Sequence, residues 1–313
     1  MPNTLAHIGI QAVITRGTIA AAPPGWIWLG CILPDLPWIG LRLLRALPVA
    51  PPVHDARLWA VVASSLPFCL LAAGALACLS RRPARIFAIL GLGAALHLIL
   101  DATQAKWGNG AILWAPFDWR PVSLAFYWPE DPTTLVLSLL GLAVFAWAVA
   151  FWRKPARLAG GRRRPLLAGV LALLCGVGIV VAMPLAERAD PHGIATLRGT
   201  DTRAGRCIAF DRARVGPDAD GRTVLHVWTG EALRIADGAL PDPPATISVQ
   251  ACFTTADTVR IRAAHVHVGG WRDRMSYVGL ALIGLWWAAV GYGRLRHRRF
   301  TTARRSGGPG RRP

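Results

Sequence analysis

Residues 81–101 read RRPARIFAILGLGAALHLILD, a basic cluster followed by an apolar run that ends on a histidine and an aspartate. Such a run approaches the ~20 residues that a helix needs to cross a hydrocarbon core. Four further runs of this kind lie along the chain, so the sequence predicts an α-helical integral membrane protein with about five transmembrane helices. The predicted spans are residues 58–79, 86–102, 134–152, 165–184 and 276–293.

The charge and hydropathy of the whole chain support this assignment. The 313 residues are 53% apolar and 17% charged, with a mean hydropathy of +0.39. Lys plus Arg (35) exceed Asp plus Glu (17), and a net charge of +18 taken alone would suggest a nucleic-acid binder. The hydropathy argues against a soluble protein of that class, and the apolar content excludes disorder over most of the length. We therefore expect no nucleic-acid partner.

Three segments that contain Arg or Lys but no acidic residue predict the orientation of the spans. They are residues 81–85, 153–164 and 294–312. By the positive-inside rule all three are cytoplasmic. Residues 1–57, 103–133 and 185–275 then lie on the extracytoplasmic side. The basic C-terminal residues 294–313 are expected to form a disordered cytoplasmic tail near anionic headgroups.

The first 57 residues are apolar but interrupted by several prolines. Proline ends or kinks helices. This segment therefore predicts short helices near residues 4–20, 25–33 and 37–47, which contribute site residues. The transmembrane helical core follows as residues 58–184.

Residues 185–275 differ from the rest of the chain because acidic and basic residues nearly balance there. Alternating apolar and polar residues in several short runs predict strands, for example at 222–228 and 246–253. We predict a small extracytoplasmic all-β domain, a compact barrel that is OB-like in size and strand number. Its two cysteines, Cys207 and Cys252, form either a disulfide or two separate buried thiols. Residues 276–293 are the last predicted transmembrane helix.

Five ionisable residues in the apolar part of the chain form a candidate metal-ligand set. The sharpest pair is His97 and Asp101, whose i, i+4 spacing places both side chains on one face of a helix. A hydrogen-bonded pair at a helix end is the alternative for this spacing. His7, Asp35 and His54 fall on the same predicted side of the membrane. Nitrogen and oxygen ligands of this kind suit a divalent first-row metal ion, and Zn²⁺ is the first candidate.

The order of these residues resembles one known family. A histidine near the amino end, Leu-Pro-Asp at 33–35, a histidine before a span, and His97-x-x-x-Asp101 followed by glycine and Trp-Ala-Pro at 114–116 are similar to LexA-regulated inner-membrane metal-dependent hydrolases, the YdjM-like group. The ligand order is also similar to that of bacterial zinc-dependent phospholipase C. The resemblance covers roughly residues 1–135.

The third motif departs from the pattern of this family. The family pattern Arg-Gly-x-Thr-His-Ser is replaced here by Val-His-Asp-Ala at residues 53–56. Asp55 could therefore replace His54 as a ligand, or support a ligand through a hydrogen bond.

The resemblance implies metal-assisted hydrolysis in a bacterial cytoplasmic membrane. A divalent ion would activate water and polarise a phosphoryl oxygen. Asp35, Asp55 and Asp101 are the candidates for a catalytic general base, in so far as they are not ligands. A site at the extracytoplasmic boundary suits a phosphoester in a membrane lipid or in a lipid-linked substrate.

The loop 103–133 contains the candidate substrate-binding residues. Lys106 and Arg120 could contact a phosphate headgroup. Trp114 is a candidate for the same role, although membrane anchoring is the alternative and is typical of interfacial tryptophan. A second function also stays open: a non-enzymatic membrane-anchored protein whose β-domain binds an envelope partner. The histidines of the β-domain, at 192, 226, 265 and 267, are interpreted as surface or core residues.

Overall fold

The computed structural model of the chain describes residues 3–48, 51–152, 163–238 and 240–306. The helices that precede the β-barrel in the sequence, and the one that follows it, pack into one bundle beside the barrel. The helices are α1 (Thr4–Thr18), α2 (Pro24–Ile32), α3 (Leu36–Arg45), α4 (Val53–Ala63), α5 (Leu66–Cys78), α6 (Pro83–Ala102), α7 (Pro132–Phe151), α8 (Pro165–Ala189), α9 (Ile194–Arg198) and α10 (Trp271–Ser306). The strands are β1 (Cys207–Pro217), β2 (Thr223–His226), β3 (Ala232–Asp237), β4 (Ala245–Phe253) and β5 (Thr258–Val266).

Five helices of the described chain are long and apolar enough to cross a membrane. They are α6, α7, α8, the first 22 residues of α10, and the stretch Pro24–Arg45, in which a 3₁₀ turn (Leu33–Asp35) joins α2 to α3. The predicted span 58–79 is wrong as a single helix, because α4 and α5 meet at 70°. The break has a local cause: Pro67 lies in the first turn of α5, a position that starts a helix and does not continue one.

The C-terminal helix is longer than the sequence pattern suggested. α10 continues to Ser306, so residues 294–306 are helical and the prediction of a disordered tail is wrong for them. Arginine is a good helix former, and neither glycine nor proline occurs between residues 294 and 306. Most of the basic segment 153–164, and residues 307–313, lie outside the described residues.

The position of α1 in the bundle is set by close packing against α7. A Cβ atom on Gly141 would lie 1.9 Å from the carbonyl oxygen of Leu5, so only glycine permits this approach. Asn3 at the start of α1 donates to Ser138 Oγ of α7 at 2.5 Å. At the other end, the guanidinium of Arg16 lies 4.3 Å from the ring centroid of Trp152. The two helices therefore run side by side in the same direction.

The β-domain is a closed five-stranded barrel with strand order β1-β2-β3-β5-β4. All neighbouring strands are antiparallel except β3 and β5, which are parallel. Alternate residues of the strands fill the interior with buried apolar side chains, among them Phe210, Val249 and Phe253. A disulfide joins Cys207 and Cys252, which are paired positions of β1 and β4. The sequence predicts a β-domain from residue 185, whereas α8 extends through Ala189 and the first strand of the barrel begins at Cys207.

The loop between α6 and α7, residues 103–131, lies against the barrel. Asn109 Nδ2 donates to Asp211 Oδ2 at 3.1 Å. Gly108 has a φ of +72°, and a Cβ atom there would lie 2.2 Å from the carbonyl oxygen of Ala209, so glycine is required both for the turn and for the contact. This loop covers one end of the bundle, and we call that end the barrel side.

Candidate functional site

Four of the predicted ligands meet on the barrel side of the bundle. His7 comes from the first turns of α1, Asp35 from the 3₁₀ turn after α2, and His97 and Asp101 from the last turns of α6. His7 Nε2 lies 3.3 Å from Asp101 Oδ1, and His97 Nε2 lies 3.4 Å from Asp35 Oδ1 and 3.8 Å from Asp101 Oδ2. We call His7, Asp35, His97 and Asp101 the helical cluster. All four are buried.

The two imidazole rings of the helical cluster are held in a fixed orientation. They stack with their centroids 4.0 Å apart and an interplanar angle of 11°. His97 Nδ1–H donates to the carbonyl oxygen of Cys31 at 2.5 Å, and His7 Nδ1 contacts Gln11 Nε2 at 3.1 Å. In both rings the Nε2 atom therefore faces the carboxylates. For His97 the backbone contact also determines the tautomer, with the Nε2 lone pair toward Asp35 and Asp101.

The charges in the helical cluster are not balanced. Lys106 is buried and its Nζ lies 3.0 Å from Asp101 Oδ2. Two carboxylates and one ammonium leave an excess negative charge when both imidazoles are neutral. A buried excess charge is costly unless a proton or another cation compensates it.

Two buried polar atoms in this cluster lack a hydrogen bond. Neither His7 Nε2 nor Asp101 Oδ1 has a hydrogen-bond partner among the described residues, although they lie 3.3 Å apart. Two ligands of a tetrahedral ion with bonds of about 2.0–2.1 Å are separated by about 3.3 Å. Ligand atoms of His7, His97 and Asp101 all lie within 4.8 Å of one another. These three residues could hold a metal ion, and their spacing fits one.

A cavity of about 60 Å³ adjoins the cluster. Its walls include Asp35, His97 and Asp101 of the bundle, Lys106 and Asn109 of the loop 103–131, and His192, which follows α8. A volume of this size accommodates a few water molecules or a phosphate-sized group, but not a lipid chain.

Two predicted ligands lie outside this cluster. His54 packs edge-on against Trp228 with ring centroids 5.5 Å apart, and Asp55 pairs with Arg198 at 2.5 Å. The first turn of α4 thus contacts Trp228, after β2, and Arg198 of α9, whereas the histidines of the helical cluster lie on α1 and α6. The structure therefore does not bring His54 or Asp55 together with the four residues of the helical cluster.

The three predicted substrate-binding residues separate. Lys106 lines the cavity, as described above. Trp114 has 64% of its surface exposed and Arg120 forms an exposed ion pair with Asp118 at 2.9 Å. Neither belongs to the cavity wall.

His192 is a cavity residue that the sequence reasoning missed. It is buried and donates from Nε2–H to the carbonyl oxygen of Gly110 at 2.9 Å, while its Nδ1 has no partner within the described chain. Its φ of +58° is unusual for a residue other than glycine, and such strain is common at functional sites. Burial, together with the positive charge of Arg57, lowers the pKa of His192 to about 3. Asp-Pro-His-Gly at residues 190–193 has no periodicity that would have revealed this placement.

A second histidine and carboxylate group lies between the loop and the barrel. Glu130 Oε1 accepts from His265 Nε2 at 2.5 Å and from His267 Nδ1 at 2.9 Å. Burial alone would raise the pKa of Glu130, but the hydrogen bonds from the two histidines lower it to about 2. We call Glu130, His265 and His267 the loop–barrel cluster. The sequence does not reveal this cluster, because Glu130 lies 135 residues from His265 and 137 residues from His267.

No family model, curated protein or solved structure matches this chain.

Proposed function

We propose that the chain is a membrane-bound metal-dependent hydrolase that cleaves a phosphoester of a lipid or lipid-linked substrate. The observation that carries this proposal is the spacing of His7 Nε2 and Asp101 Oδ1, two buried atoms without hydrogen bonds at the separation of ligands on one ion. His97 completes the proposed ligand set, and Asp35 supports it from 3.4 Å. Zn²⁺ is the proposed ion, because imidazole and carboxylate ligands suit it and three protein ligands leave a fourth position open for water or substrate.

The tautomer of His7 can adapt to an ion. As placed, the Gln11 amide nitrogen contacts His7 Nδ1, and the Gln11 oxygen has no partner in the part of the chain that the structure describes. Rotating this amide by 180° lets its oxygen accept from Nδ1–H. The Nε2 lone pair of His7 then faces Asp101 and is available to a metal.

The chain's own residues supply the other requirements of phosphoester hydrolysis. A bound divalent ion lowers the pKa of water and polarises a phosphoryl oxygen. Asp35 lines the cavity and can accept a proton from attacking water. Lys106 lines the cavity and its ammonium can neutralise charge on a phosphoryl group. His192 also lines the cavity, and its Nδ1 has no partner among the described residues.

A lipidic substrate is supported by the surface around the cavity. Large apolar side chains of the loop 103–131 are strongly exposed: Trp114 by 64%, Phe117 by 95% and Phe126 by 71%. Exposed aromatic residues on a loop beside apolar helices are typical of a membrane interface. The phosphate group of a lipid would enter the small cavity, while its chains stay in the bilayer. Trp114 then has the anchoring role.

The proposal includes the extracytoplasmic side of a bacterial cytoplasmic membrane for both cavity and barrel. The acid-free basic segments support this orientation. We also propose that the barrel is OB-like, supported by its five strands, its closure and the parallel pairing of β3 with β5.

The test is an assay of the purified full chain in vesicles of phosphatidylglycerol and phosphatidylcholine with Zn²⁺. We expect release of water-soluble phosphorylated headgroup, and its loss in His97→Ala and Asp101→Ala. Lys106→Met should lower the rate by roughly 10²–10³-fold, because it removes charge stabilisation from a closed site. Asp220→Asn, in an exposed turn of the barrel, is the control and keeps the wild-type rate. Equal rates in wild type and His97→Ala would overturn the proposal.

One observation favours the second candidate function, an anchored binding protein without enzymatic activity. A cleft of about 420 Å³ on the barrel is lined by Arg214, His226 and Thr246, among others. This is within the size range of small-ligand sites. Ligand binding there without hydrolysis, and without bound metal, would favour this candidate.

A further inference from the structure

The loop–barrel cluster has the donor set of a metal site that is separate from the helical cluster. His265 and His267 alternate on and just beyond β5, so both rings point to the same side of the sheet. Glu130, at the end of the loop 103–131, meets them there. We infer that Glu130, His265 and His267 bind a divalent transition-metal ion, which fastens this loop to the barrel.

The carboxylate of Glu130 lacks a partner for one of its two oxygens. Its side chain is only 7% exposed, and its Oε2 atom has no hydrogen-bond partner in the described ranges. A buried carboxylate oxygen without a partner is costly, since it loses its hydration. The two imidazoles contact the other oxygen, Oε1, so an ion that the carboxylate binds through both oxygens would satisfy Oε2. Two imidazoles and one carboxylate are also a ligand set that zinc sites use.

A chain of hydrogen bonds holds the His267 ring at the nitrogen that does not contact Glu130. Its Nε2 lies 2.8 Å from Ser248 Oγ, and this hydroxyl donates to Asp211 Oδ1 at 3.2 Å. The hydroxyl proton is thus committed to Asp211, so Nε2–H of His267 donates to Ser248. The opposite atom, Nδ1, then presents its lone pair toward Glu130 once an ion replaces the shared proton.

The ring of His265 is held in one orientation by an aromatic contact. Its ring stacks on Trp128 with centroids 3.6 Å apart and an interplanar angle of 1°. Trp107 in turn packs edge-on against Trp128. The ring is thereby fixed with Nε2 toward Glu130, while 25% of the side chain stays exposed and provides a route for an ion.

The cluster must open slightly to admit an ion. The two nitrogen atoms lie 2.5 and 2.9 Å from the same carboxylate oxygen. Ligands of a tetrahedral ion are about 3.3 Å apart, so each histidine must separate from Glu130 by less than about 1 Å. Such a shift is small for a loop residue that faces a strand.

The consequence of binding reaches the cavity of the helical cluster. Asp211, the acceptor behind Ser248, also accepts from Asn109 Nδ2 at 3.1 Å, and Asn109 lines that cavity. A metal that fixes Glu130 and His267 therefore also fixes the loop that forms one cavity wall.

The experiment measures Zn²⁺ bound to the full chain in detergent micelles after chelator treatment and reloading. The background variant is His97→Ala/Asp101→Ala, which removes the helical cluster. We expect about one equivalent of Zn²⁺ in this background and less than about a fifth of one after adding His265→Gln/His267→Gln. Adding His54→Gln instead is the matched control, because this histidine packs against Trp228 and belongs to neither cluster, and it should leave the content unchanged. A background variant that holds no Zn²⁺, or a content that the His265/His267 change does not lower, overturns the inference whatever the helical cluster binds.

A measurement on the wild-type protein avoids any dependence on variants that fold poorly. Diethyl pyrocarbonate modifies accessible imidazole nitrogens, and mass spectrometry of peptides quantifies each site. We expect Zn²⁺ to slow modification of His265 by about tenfold or more and to leave that of His226 unchanged. An unchanged rate at His265 overturns the inference.

Discussion

The helical cluster and the loop–barrel cluster both consist of imidazoles and carboxylates, but helices hold the first, whereas a loop and the barrel hold the second. In the helical cluster, histidine nitrogens and carboxylate oxygens lie 3.3–3.8 Å apart and leave two buried atoms without hydrogen bonds. In the loop–barrel cluster, both histidines close onto one oxygen at 2.5 and 2.9 Å. Packed helices hold their side chains at fixed separations, whereas a loop can approach a strand until hydrogen bonds form. If each cluster binds an ion as proposed, the helical cluster would need little rearrangement, whereas the loop–barrel cluster would have to open.

The two clusters also differ in what supports them. The helical cluster depends on the glycine contact that holds α1 against α7 and hence sets the depth of His7. The loop–barrel cluster depends on the barrel, because Ser248 and His265 are paired positions of β4 and β5. A change in one support should therefore damage one cluster and leave the other intact.

The largest effect is expected from removing the disulfide with Cys207→Ser/Cys252→Ser. The bond closes a segment with a sequence separation of 45, and a loop of that size corresponds to about 4 kcal/mol of stability in the chain-entropy description. Hydrogen exchange should accelerate in β1, β4 and β5 and remain slow in α6. Cys175→Ser, which alters a free cysteine of α8, is the control. Equal acceleration in α6 and the barrel would show that the two supports are not separate.

A smaller loss of stability, in the helical bundle and not in the barrel, is expected from Gly141→Leu. The added side chain meets the backbone of α1, which destabilises the bundle by about 3 kcal/mol and displaces His7. Zn²⁺ content at the helical cluster should fall, while the His265 region of the barrel keeps its hydrogen-exchange protection. Gly176→Leu is the matched control, because no described atom lies within 4 Å of a Cβ placed there. Loss of barrel protection in Gly141→Leu would contradict the separation.

The smallest effect is the pH dependence of stability that arises from His192, which donates to the carbonyl oxygen of Gly110 in the loop 103–131. The pKa of His192 is about 3 in the folded protein, against an ordinary value of 6.5. Between these values the unfolded chain binds the proton and the folded chain does not, so stability is complete above pH 6.5 and falls as the pH decreases toward 3. From pH 6.5 to 5 the loss is about 2 kcal/mol, at about 1.4 kcal/mol for each unit.

Thermal unfolding in detergent at pH 7.5 and 5 measures this effect. The melting temperature of the wild type should fall more than that of His192→Asn, since asparagine tolerates a positive φ and does not titrate. His226→Asn, at a half-buried histidine of β2 that does not line the cavity of the helical cluster, should behave like the wild type. An identical pH dependence in wild type and His192→Asn would contradict the assignment.

The sequence allowed the helical cluster to be predicted largely because its core is local. His97 and Asp101 are neighbours on any helix, and a proline-flanked aspartate marks the turn that holds Asp35. His54 was misplaced because its position depends on the 70° bend between α4 and α5, which residue spacing does not reveal. Glu130 and His265 come together only through the docking of the barrel, so no local pattern connects them. The closed topology of the barrel likewise depends on the parallel pairing of β3 with β5, which alternation along one strand cannot indicate.

The central claim is that the helical cluster binds a metal ion, and its most direct test is the Zn²⁺ content of purified protein from which the other cluster has been removed. In the His265→Gln/His267→Gln variant we predict about one equivalent of Zn²⁺ per chain, and a fall below about a tenth of one when His97→Ala is added. A content that stays the same with and without His97 would contradict the claim.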